Sequence, residues 1–314
     1  MRLPPAIFLM GPTASGKTGA AVALATSLPV EIISVDSALV YRDMDIGTAK
    51  PDAATLQQAP HHLINTILPT QAYSAANFRQ DALHLMADIT ARGRIPLLVG
   101  GTMLYFKALE QGLSGLPEAN PQVRAELDAE AAKIGWPAMH AKLAKLDAQT
   151  AARLAPNDSQ RIQRALEVFL LTGRRLADLI AEQQSQALPY HVLKLALLPS
   201  DRSLLHARIA VRFEQMLAAG LVDEVQALLL KYPELTVEST AMRCVGYRQV
   251  LQYLAGEYGL AELADRGIFA TRQLAKRQLT WLRGMPQVQP LDCLLGNLNE
   301  VVCDEVNQFI KLNT

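Results

Sequence analysis

The sequence predicts an α/β protein, with a P-loop NTPase-like parallel sheet core, an inserted all-helical domain and C-terminal helices. Three observations lead to this fold class. Short apolar runs such as residues 6–10 lack alternation, which is typical of strands buried on both faces of a sheet. Helical segments follow these runs, as expected for parallel strands. A glycine-rich loop, residues 11–18, joins the first run to the first helix.

The composition is that of a folded protein. Half of the 314 residues are apolar and 19% are charged, which excludes general disorder. Lys and Arg total 30, as do Asp and Glu, so a uniformly basic coat is excluded but a local basic patch is not. Three cysteines, at 244, 293 and 303, form no CxxC pair and predict thiols in a reducing compartment. The apolar start is too short for a membrane span and has no cleavage site, so we expect a cytoplasmic protein without membrane attachment.

The positions of the apolar runs, and the residue patterns between them, predict the domain organisation. The predicted strands are residues 6–10, 31–37, 94–102 and 191–199. Helix-like segments without a strand pattern fill residues 117–189, which we interpret as a helical insertion. The core then comprises residues 1–116 and 190–285, which include the C-terminal helices. Residues 286–314 carry a net charge of −3 and are weakly patterned, so we interpret them as an acidic tail.

The glycine-rich loop predicts a phosphate site. It matches G-x-x-x-x-G-K-[ST] at every fixed position, between a predicted strand and a predicted helix. In such a loop the backbone N–H groups and the helix N-terminus surround phosphate oxygens. Lys17 would reach the terminal phosphate, and the Thr18 hydroxyl would bind Mg²⁺. The loop consists of Gly11, Pro12, Thr13, Ala14, Ser15, Gly16, Lys17 and Thr18.

One acidic residue stands at a strand end. An ordinary NTPase needs such an acid on a second strand to hold its metal. The strand at 94–102 ends in glycine and threonine instead, whereas the strand at 31–37 ends in a polar pair that includes Asp36. Asp36 is either a helix cap or turn residue, or a general base or metal ligand that faces the phosphate loop. The residues alone leave both interpretations open.

Positive charge is concentrated in three segments. Residues 160–175, 242–248 and 272–283 carry net charges of +3, +2 and +4 in a chain whose total is zero. On the predicted helix 157–175, two glutamines and two arginines lie opposite an apolar face, with no balancing acid evident nearby. Arg272, Lys276 and Arg283 share a face of the last segment. These faces are either solvated surfaces or a groove for unstacked RNA bases and phosphates.

Seven motifs occur in order between residue 6 and about residue 285. They are GPTASGKT, SVDSALVYRDMDIGTAKP, HHLI, LLVGGTMLY, NDSQRIQRALEV, AMRCVGYRQV and KRQLTWLR. Together they resemble the bacterial tRNA dimethylallyltransferases, also called tRNA isopentenyltransferases. The resemblance covers nearly the whole chain except the acidic C-terminal segment.

The resemblance implies a reaction. A dimethylallyl group would pass from dimethylallyl diphosphate to the exocyclic N6 amine of the adenosine 3′-adjacent to the anticodon, in tRNAs that read codons beginning with U. The phosphate loop would hold an allylic diphosphate with Mg²⁺, which would explain the missing NTPase acid. The helical insertion would grip the tRNA anticodon stem-loop. No obligate protein partner is implied, and a monomer would suffice. No histidine follows His206, so no Cys₂His₂ zinc finger is expected in this sequence.

The resemblance also implies roles for residues. Lys17, Thr18 and Arg212 would neutralise the leaving diphosphate, and Asp36 would accept a proton from the adenine amine. Further residues match the family's tRNA-contacting positions. They are Asp36, Ser37, Ala38, Leu39, Thr102, Arg124, Gln160, Arg161, Ile162, Gln163, Arg164, Arg243, Cys244, Val245, Gly246, Tyr247 and Arg248.

Two other functions remain open from the residues alone. A small-molecule P-loop kinase would use Asp36 as the base for a hydroxyl acceptor, but it leaves the basic segments unexplained. An ATP-dependent RNA-binding protein accounts for the loop and the basic segments, but it gives Asp36 no role.

Overall fold

The computed structural model of the protein describes residues 2–112, 116–182 and 187–313. The chain divides into two compact units. One comprises Met1–Leu109 with Leu188–Thr314 and is called the sheet unit; the other, Glu110–Ala187, is called the helical unit. The first contains a parallel sheet, and the second is built from helices.

The sheet places its strands in an order different from the chain order. Among the described residues it has six strands, all parallel, in the order β3-β2-β4-β1-β5-β6. Along the chain these are β1 (Pro5–Met10), β2 (Val30–Val35), β3 (His61–His62), β4 (Ile95–Gly100), β5 (His191–Leu198) and β6 (Gln289–Asp292). The four predicted strands correspond to β1, β2, β4 and β5, and the α/β class is confirmed.

Helices make up most of the rest of the described chain. The helices before the helical unit are α1 (Lys17–Ser27), α2 (Ala53–Gln58), α3 (Ala75–Ala91) and α4 (Met103–Gln111). The helices that follow within it are α5 (Pro121–Ile134), α6 (Trp136–Leu146), α7 (Ala148–Ala151), α8 (Ser159–Thr172) and α9 (Leu176–Ala181). The last group is α10 (Arg202–Ala218), α11 (Leu221–Lys231), α12 (Tyr247–Leu254), α13 (Leu260–Arg283) and α14 (Leu298–Asn313). A 3₁₀ turn, Ala241–Arg243, precedes α12.

The apolar strands are buried by helices on both faces. Leu24 of α1 and Val302 of α14 pack with Ile7 and Leu97 on one face. Phe78 of α3 and Phe106 of α4 pack against the other face. Burial on both faces explains why β1 and β4 are continuous apolar runs.

A separate apolar cluster joins the C-terminal helices to the chain segment that follows β2. Residues of α10, α11, α12 and α13 pack around Val40, Tyr41 and Met44. The segment after Asp36 is therefore anchored in the helical layer of the sheet unit.

The helical unit has a small core of its own. Leu127, Met139, Leu143 and Ile162 are buried together. Helix α8 begins after Asp158, whose side chain accepts from the N–H of Arg161, and it ends at Gly173 in the left-handed conformation. The helix therefore lies within the predicted segment 157–175 and is capped at both ends.

The C-terminal segment differs from the predicted acidic tail. Residues 289–292 form β6, which pairs with β5 through the backbone, and α14 packs on α1. Leu298, Val302 and Val306 lie four residues apart and are buried. The charged residues of α14 obscured this apolar stripe in the sequence. No helix of the described residues is long and apolar enough to cross a membrane.

Gly267 offers a test of the packing between α10 and α13. A Cβ atom at Gly267 would overlap the ring of Phe213, which is buried. In a helix alanine is ordinarily favoured over glycine by about 1 kcal/mol. We expect Gly267→Ala to lower the free energy of unfolding instead, by ~1–3 kcal/mol, because the ring must move. Urea unfolding of the variant measures this change.

Gly19 in α1 is the matched control. A Cβ there would meet only Asn299 Oδ1, at 3.9 Å. Gly19→Ala is therefore expected to leave stability unchanged or to raise it by up to about 1 kcal/mol. If both variants proved more stable than the parent protein, the described contact between Gly267 and Phe213 would be wrong.

Candidate functional site

Strand register brings three chain segments to one edge of the sheet. Met10 of β1 and Val35 of β2 both pair with Gly100 of β4. The residues that follow these strands therefore leave the sheet side by side. They are the phosphate loop after β1, Asp36 after β2 and Gly101–Thr102 after β4.

The phosphate loop turns back on itself before α1. Its Ser15 is fully buried and donates its N–H to the carbonyl of Pro12 at 3.3 Å. Ala14 has a positive φ of 62°, which is unusual for a residue with a Cβ. This strained turn leads into the N-terminus of α1, where backbone N–H groups favour an anion.

Lys17 lies over the loop. Its Nζ donates to the carbonyl oxygen of Pro12 at 2.6 Å and to Ser15 Oγ at 3.4 Å. Burial lowers the pKa of Lys17 to about 8, the charge of Asp36 raises it in part, and Arg212 lowers it further. The three charged groups are therefore close enough to influence one another.

Asp36 is held by a local turn. Its Oδ1 accepts the N–H of Ala38 at 2.8 Å, and within the described chain no residue hydrogen-bonds to Oδ2. Thr102 Oγ1 accepts the N–H of Ser37 at 3.0 Å, and the Thr102 N–H donates to Val35. These contacts fix the carboxylate and leave its Oδ2 without a hydrogen-bond partner in the described part of the chain.

Gln278 connects the phosphate loop to the end of β4. Its Oε1 accepts the N–H of Thr13 at 2.9 Å, and its Nε2 donates to the carbonyl of Gly101 at 2.9 Å. A single amide side chain therefore sets the separation of the two segments. The sequence does not reveal this residue, because Gln278 lies 265 positions from its partner Thr13 in a segment whose evident pattern is positive charge.

The three segments open into a cavity of about 720 Å³ within the sheet unit. Its walls combine the phosphate loop with the polar segments after β2 and β4 and with residues of α10 and α13. The lining includes residues 13–18, 36–39, 47–49, 99–104 and 243–245, together with Arg212, Phe213, Met216, Leu274, Arg277, Gln278 and Trp281. The walls of the cavity therefore present cationic, polar and apolar side chains.

Several residues predicted from the family resemblance line this cavity. Arg212 lies in its wall on α10, and burial lowers the pKa of this guanidinium while the charge of Asp36 raises it. Cys244 and Val245 are also in the wall, and burial raises the pKa of the Cys244 thiol to about 12. This cysteine is therefore a neutral thiol in the cavity wall.

Tyr247 requires a correction, since its side chain is fully buried and cannot contact an RNA directly. It begins α12, and its hydroxyl donates to Glu224 Oε1 at 2.5 Å. Gly246 is also buried, whereas Arg243 and Arg248 are exposed. Of this segment, the two arginines present their side chains to the surface.

The helical unit groups other predicted RNA-binding residues around a buried acid. Glu167 is fully buried, accepts from Arg124 at 2.9 and 3.1 Å, and accepts from Arg164 at 2.7 Å. Burial has the largest single effect and would raise the pKa of Glu167. The hydrogen bonds from the two arginines and from the Asn120 N–H, together with the charge of Arg124, outweigh burial and lower the pKa. Arg161 pairs with Asp158 at 2.9 Å.

These contacts correct two statements made from the sequence. The arginines of α8 do have balancing acids, because Glu167 lies on the same helix and Asp158 caps it. Ile162 is fully buried in the core of the helical unit, so its side chain cannot contact RNA. Gln160 and Arg161 are exposed, and Gln163 is held by Asp128 Oδ1 at 2.7 Å.

The face of α13 toward the cavity also differs from the prediction. Thr271, Leu274, Gln278 and Trp281 line the cavity, and Arg277 joins them. Their spacing of three or four residues marks one helix face and was visible in the sequence. The predicted basic face does not line the cavity, and Arg272 instead donates to the carbonyl of His206 at 3.4 Å.

The fold and the site together define an α/β phosphate-loop protein in which the loop shares a cavity with a carboxylate. The sequence matches the family model described as IPP transferase over residues 39–285. The chain therefore belongs to the IPP transferase family.

Individual relatives agree with this membership. A tRNA dimethylallyltransferase of Methylobacillus flagellatus is 69% identical over 291 residues, which are 93% of this chain and 92% of that protein. One of Nitrosomonas eutropha is 60% identical over 299 residues, which are 95% of this chain and 94% of that protein.

Solved structures show the same fold. The tRNA isopentenylpyrophosphate transferase of Bacillus halodurans matches with a TM-score of 0.72 and 36% identity, over 99% of this chain and 97% of that one. A eukaryotic dimethylallyltransferase acting on tRNA matches with a TM-score of 0.83 and 26% identity, over 99% of this chain and 80% of that one. The predicted family and fold are thus confirmed.

The residues present suit Mg²⁺ bound together with a diphosphate. Thr18 lies in the cavity wall beside Lys17 and offers a hydroxyl oxygen. Among the described residues no group of three or more His, Cys, Asp or Glu side chains forms a metal cage. Mg²⁺ commonly binds through few protein oxygens, with water and substrate phosphates completing its shell.

The lowered pKa of Lys17 predicts pH-dependent diphosphate binding. Lys17 loses its proton as the pH rises through about 8, and with it the charge that attracts phosphate. An alkyl diphosphate with Mg²⁺ is a suitable probe, since phosphate monoesters have their second pKa near 6 and keep a constant charge in this range. Its affinity is expected to fall roughly tenfold between pH 7.5 and pH 9.

Lys17→Arg is the matched control for this titration. A guanidinium keeps its charge up to a pKa above ~12, so the pH dependence should disappear even where the affinity itself is lower. Calorimetric titrations of both proteins at several pH values give the comparison. A flat profile for the parent protein would show that Lys17 stays protonated throughout.

Proposed function

We propose that this protein transfers a dimethylallyl group from dimethylallyl diphosphate to the N6 amine of the tRNA adenosine that lies 3′-adjacent to the anticodon, in tRNAs reading codons that begin with U. The single observation that carries this proposal is the shared cavity, in which a phosphate loop and Asp36 open onto the same space. Family membership and relatives of 60–69% identity named tRNA dimethylallyltransferase support the same reaction. A kinase could use the same cavity, but the family and the names of these relatives favour prenyl transfer to tRNA.

The donor half of the reaction requires a leaving group to be stabilised. When the C1–O bond of the allylic diphosphate breaks, the bonding electrons stay with the diphosphate, which gains negative charge. Lys17, Arg212 and the N–H groups at the start of α1 surround the space where that charge develops. Such preorganised donors act most strongly in a site that excludes water. Bound at Thr18, Mg²⁺ would supply further neutralisation of the diphosphate.

The acceptor half requires a base. The adenine amine is a weak nucleophile because its lone pair is delocalised into the ring. As N6 bonds to C1, it must lose a proton, and Asp36 would accept this proton through Oδ2. A positioned base of this kind contributes ~10²–10⁴-fold to a rate. The adenosine must leave its stack to reach the cavity, as in other enzymes that act on a single base.

Each unit offers cationic side chains that would bind phosphates of the tRNA. In the helical unit these are Arg124, Arg161 and Arg164, and in the sheet unit they are Arg243 and Arg248. Such contacts to phosphates position an RNA, while the cavity selects the base.

A direct assay tests the proposal. The protein, radiolabelled dimethylallyl diphosphate and Mg²⁺ are incubated with an anticodon stem-loop that carries adenosine at the target position. Label is expected in the RNA, and none in a matched stem-loop with inosine there, because inosine lacks the N6 amine. Equal labelling of the two RNAs, or no labelling with concurrent ATP hydrolysis, would refute the proposal.

Asp36 is tested by two substitutions. Asp36→Asn keeps an oxygen for the N–H of Ala38 but cannot take up a proton, whereas Asp36→Ala loses both capacities. We expect both variants to slow the single-turnover rate by ~10²-fold or more, with stem-loop affinity largely retained. If the asparagine variant kept the rate and only the alanine variant lost it, Asp36 would be a turn residue and not the base.

Arg161 is tested through the salt dependence of RNA binding. Its side chain is 72% exposed and pairs with Asp158, one turn away. Arg266, which is 50% exposed and pairs with Glu262, is a matched arginine outside the proposed RNA contacts. Arg161→Ala should weaken stem-loop binding and reduce the slope of log affinity against log salt by ~1, whereas Arg266→Ala should change neither. Identical slopes for the two variants would assign Arg161 to the solvated surface.

A further inference from the structure

Glu224 on α11 binds three successive backbone N–H groups of a distant turn. Its Oε2 accepts from Asp45 at 2.9 Å and from Ile46 at 2.7 Å, and its Oε1 accepts from Gly47 at 3.2 Å. Consecutive N–H groups that converge in this way form an anion-binding nest. Here the anion is the Glu224 carboxylate, which lies 177 to 179 positions further along the chain than the three N–H groups.

The same carboxylate also holds the start of α12. Glu224 Oε1 accepts the hydroxyl of the buried Tyr247 at 2.5 Å. Gly47 packs directly on that ring, because a Cβ there would lie 2.5 Å from Tyr247 Cε2 and 2.8 Å from Leu221 Cδ1. The turn, α11 and α12 thus meet at one point. Glu224 belongs to α11 and is hydrogen-bonded to both the turn and α12.

Both segments that Glu224 joins contribute to the wall of the cavity. Gly47, Thr48 and Ala49 line it from the turn, and Arg243, Cys244 and Val245 line it from the segment before α12. Glu224 itself is not among the lining residues. It therefore acts on the cavity only through the segments that it holds.

The turn has internal contacts that do not depend on Glu224. Lys50 Nζ donates to Asp45 Oδ1 at 2.6 Å and to the carbonyl of Tyr41 at 2.8 Å, and Thr48 Oγ1 donates to the carbonyl of Met44 at 2.7 Å. These bonds preserve the shape of the turn. Glu224 contributes the position of the turn relative to the segment before α12.

From these contacts we propose that Glu224 is a positioning residue for the reaction. It aligns the 47–49 wall with the 243–245 wall, so that the RNA-binding side of the cavity is complete before the substrate arrives. This inference rests on the proposed function, since it names the tRNA as the ligand whose binding depends on the alignment. An ionised carboxylate is required, because a glutamine offers one acceptor oxygen and would direct its NH₂ group at donors.

A second tie between the same turn and the same helix supplies the control. Asp43 Oδ2 accepts from Lys231 Nζ at 2.7 Å and from the Tyr232 hydroxyl at 2.6 Å, at the other end of α11. Neither Asp43 nor these two partners lines the cavity. Asp43→Asn therefore weakens the attachment of the segment to α11 without disturbing the two walls.

The test compares Glu224→Gln with Asp43→Asn in the whole 314-residue chain. We expect Glu224→Gln to lower kcat/KM for the anticodon stem-loop by ~10- to 100-fold, mainly through a higher KM, and to weaken stem-loop binding by a similar factor. The affinity for an alkyl diphosphate with Mg²⁺ should stay within about twofold, because the phosphate loop is held by Gln278. Asp43→Asn should leave kcat/KM unchanged, and thermal unfolding of both variants reports any loss of stability.

The outcomes separate the two proposals. Equal losses of kcat/KM in both variants, or an unchanged stem-loop affinity in Glu224→Gln, would overturn the positioning role. If the parent protein bound the stem-loop but transferred no label, the proposed function would fail while the stem-loop affinities still decided the role of Glu224. Should Glu224→Gln not fold, Tyr247→Phe removes one of the four donors and must lower stem-loop affinity by ~2- to 10-fold, and no change would overturn the role.

Discussion

The site depends on the register of three parallel strands. Met10, Gly100 and Val35 lie in one row, so β4 separates the strand that leads into the phosphate loop from the strand that ends at Asp36. Neighbouring strands are spaced by about 4.8 Å, which sets the phosphate loop and Asp36 roughly 10 Å apart at the sheet edge. That distance suits a diphosphate, an allylic carbon and an amine in line. A one-residue slip of β2 would move Asp36 along the edge and turn its neighbours to the other face.

Side-chain hydrogen bonds then connect the three segments that the strand register places side by side. Gln278 ties the phosphate loop to the end of β4, and Thr102 ties the end of β4 to Ser37. Hydrogen bonds thus run from the loop to the segment that holds Asp36, across the middle strand. Two carboxylates hold other parts of the molecule in a comparable way. The buried Glu167 binds two arginines in the helical unit, and the half-buried Glu224 binds three backbone N–H groups and a tyrosine in the sheet unit. In each case several hydrogen-bond donors satisfy the carboxylate oxygens.

The sequence predicted those parts of the molecule that have a local signal. Continuous apolar runs predicted β1, β2, β4 and β5, and the glycine-rich pattern predicted the phosphate loop. The two edge strands were missed because β3 has only two residues and β6 is not a buried apolar run. Contacts such as that between Thr13 and Gln278 join residues 265 positions apart, and no local pattern reveals them. Glu167 was overlooked as a balancing acid for the same reason, since the sequence does not show that Arg124 of another helix lies beside it.

The chain has no net charge, but its cavity is lined by more cationic than anionic side chains. Lys17, Arg212, Arg243 and Arg277 line it, and Asp36 is the acid among them. Burial lowers the pKa of both Lys17 and Arg212, while the charge of Asp36 raises each of them. The carboxylate therefore helps to keep these cations charged. In the proposed reaction a bound diphosphate takes over that role, because it brings more negative charge to the same cations. Asp36 is then no longer needed as their counter-ion, and its free oxygen can receive the proton from the adenine amine.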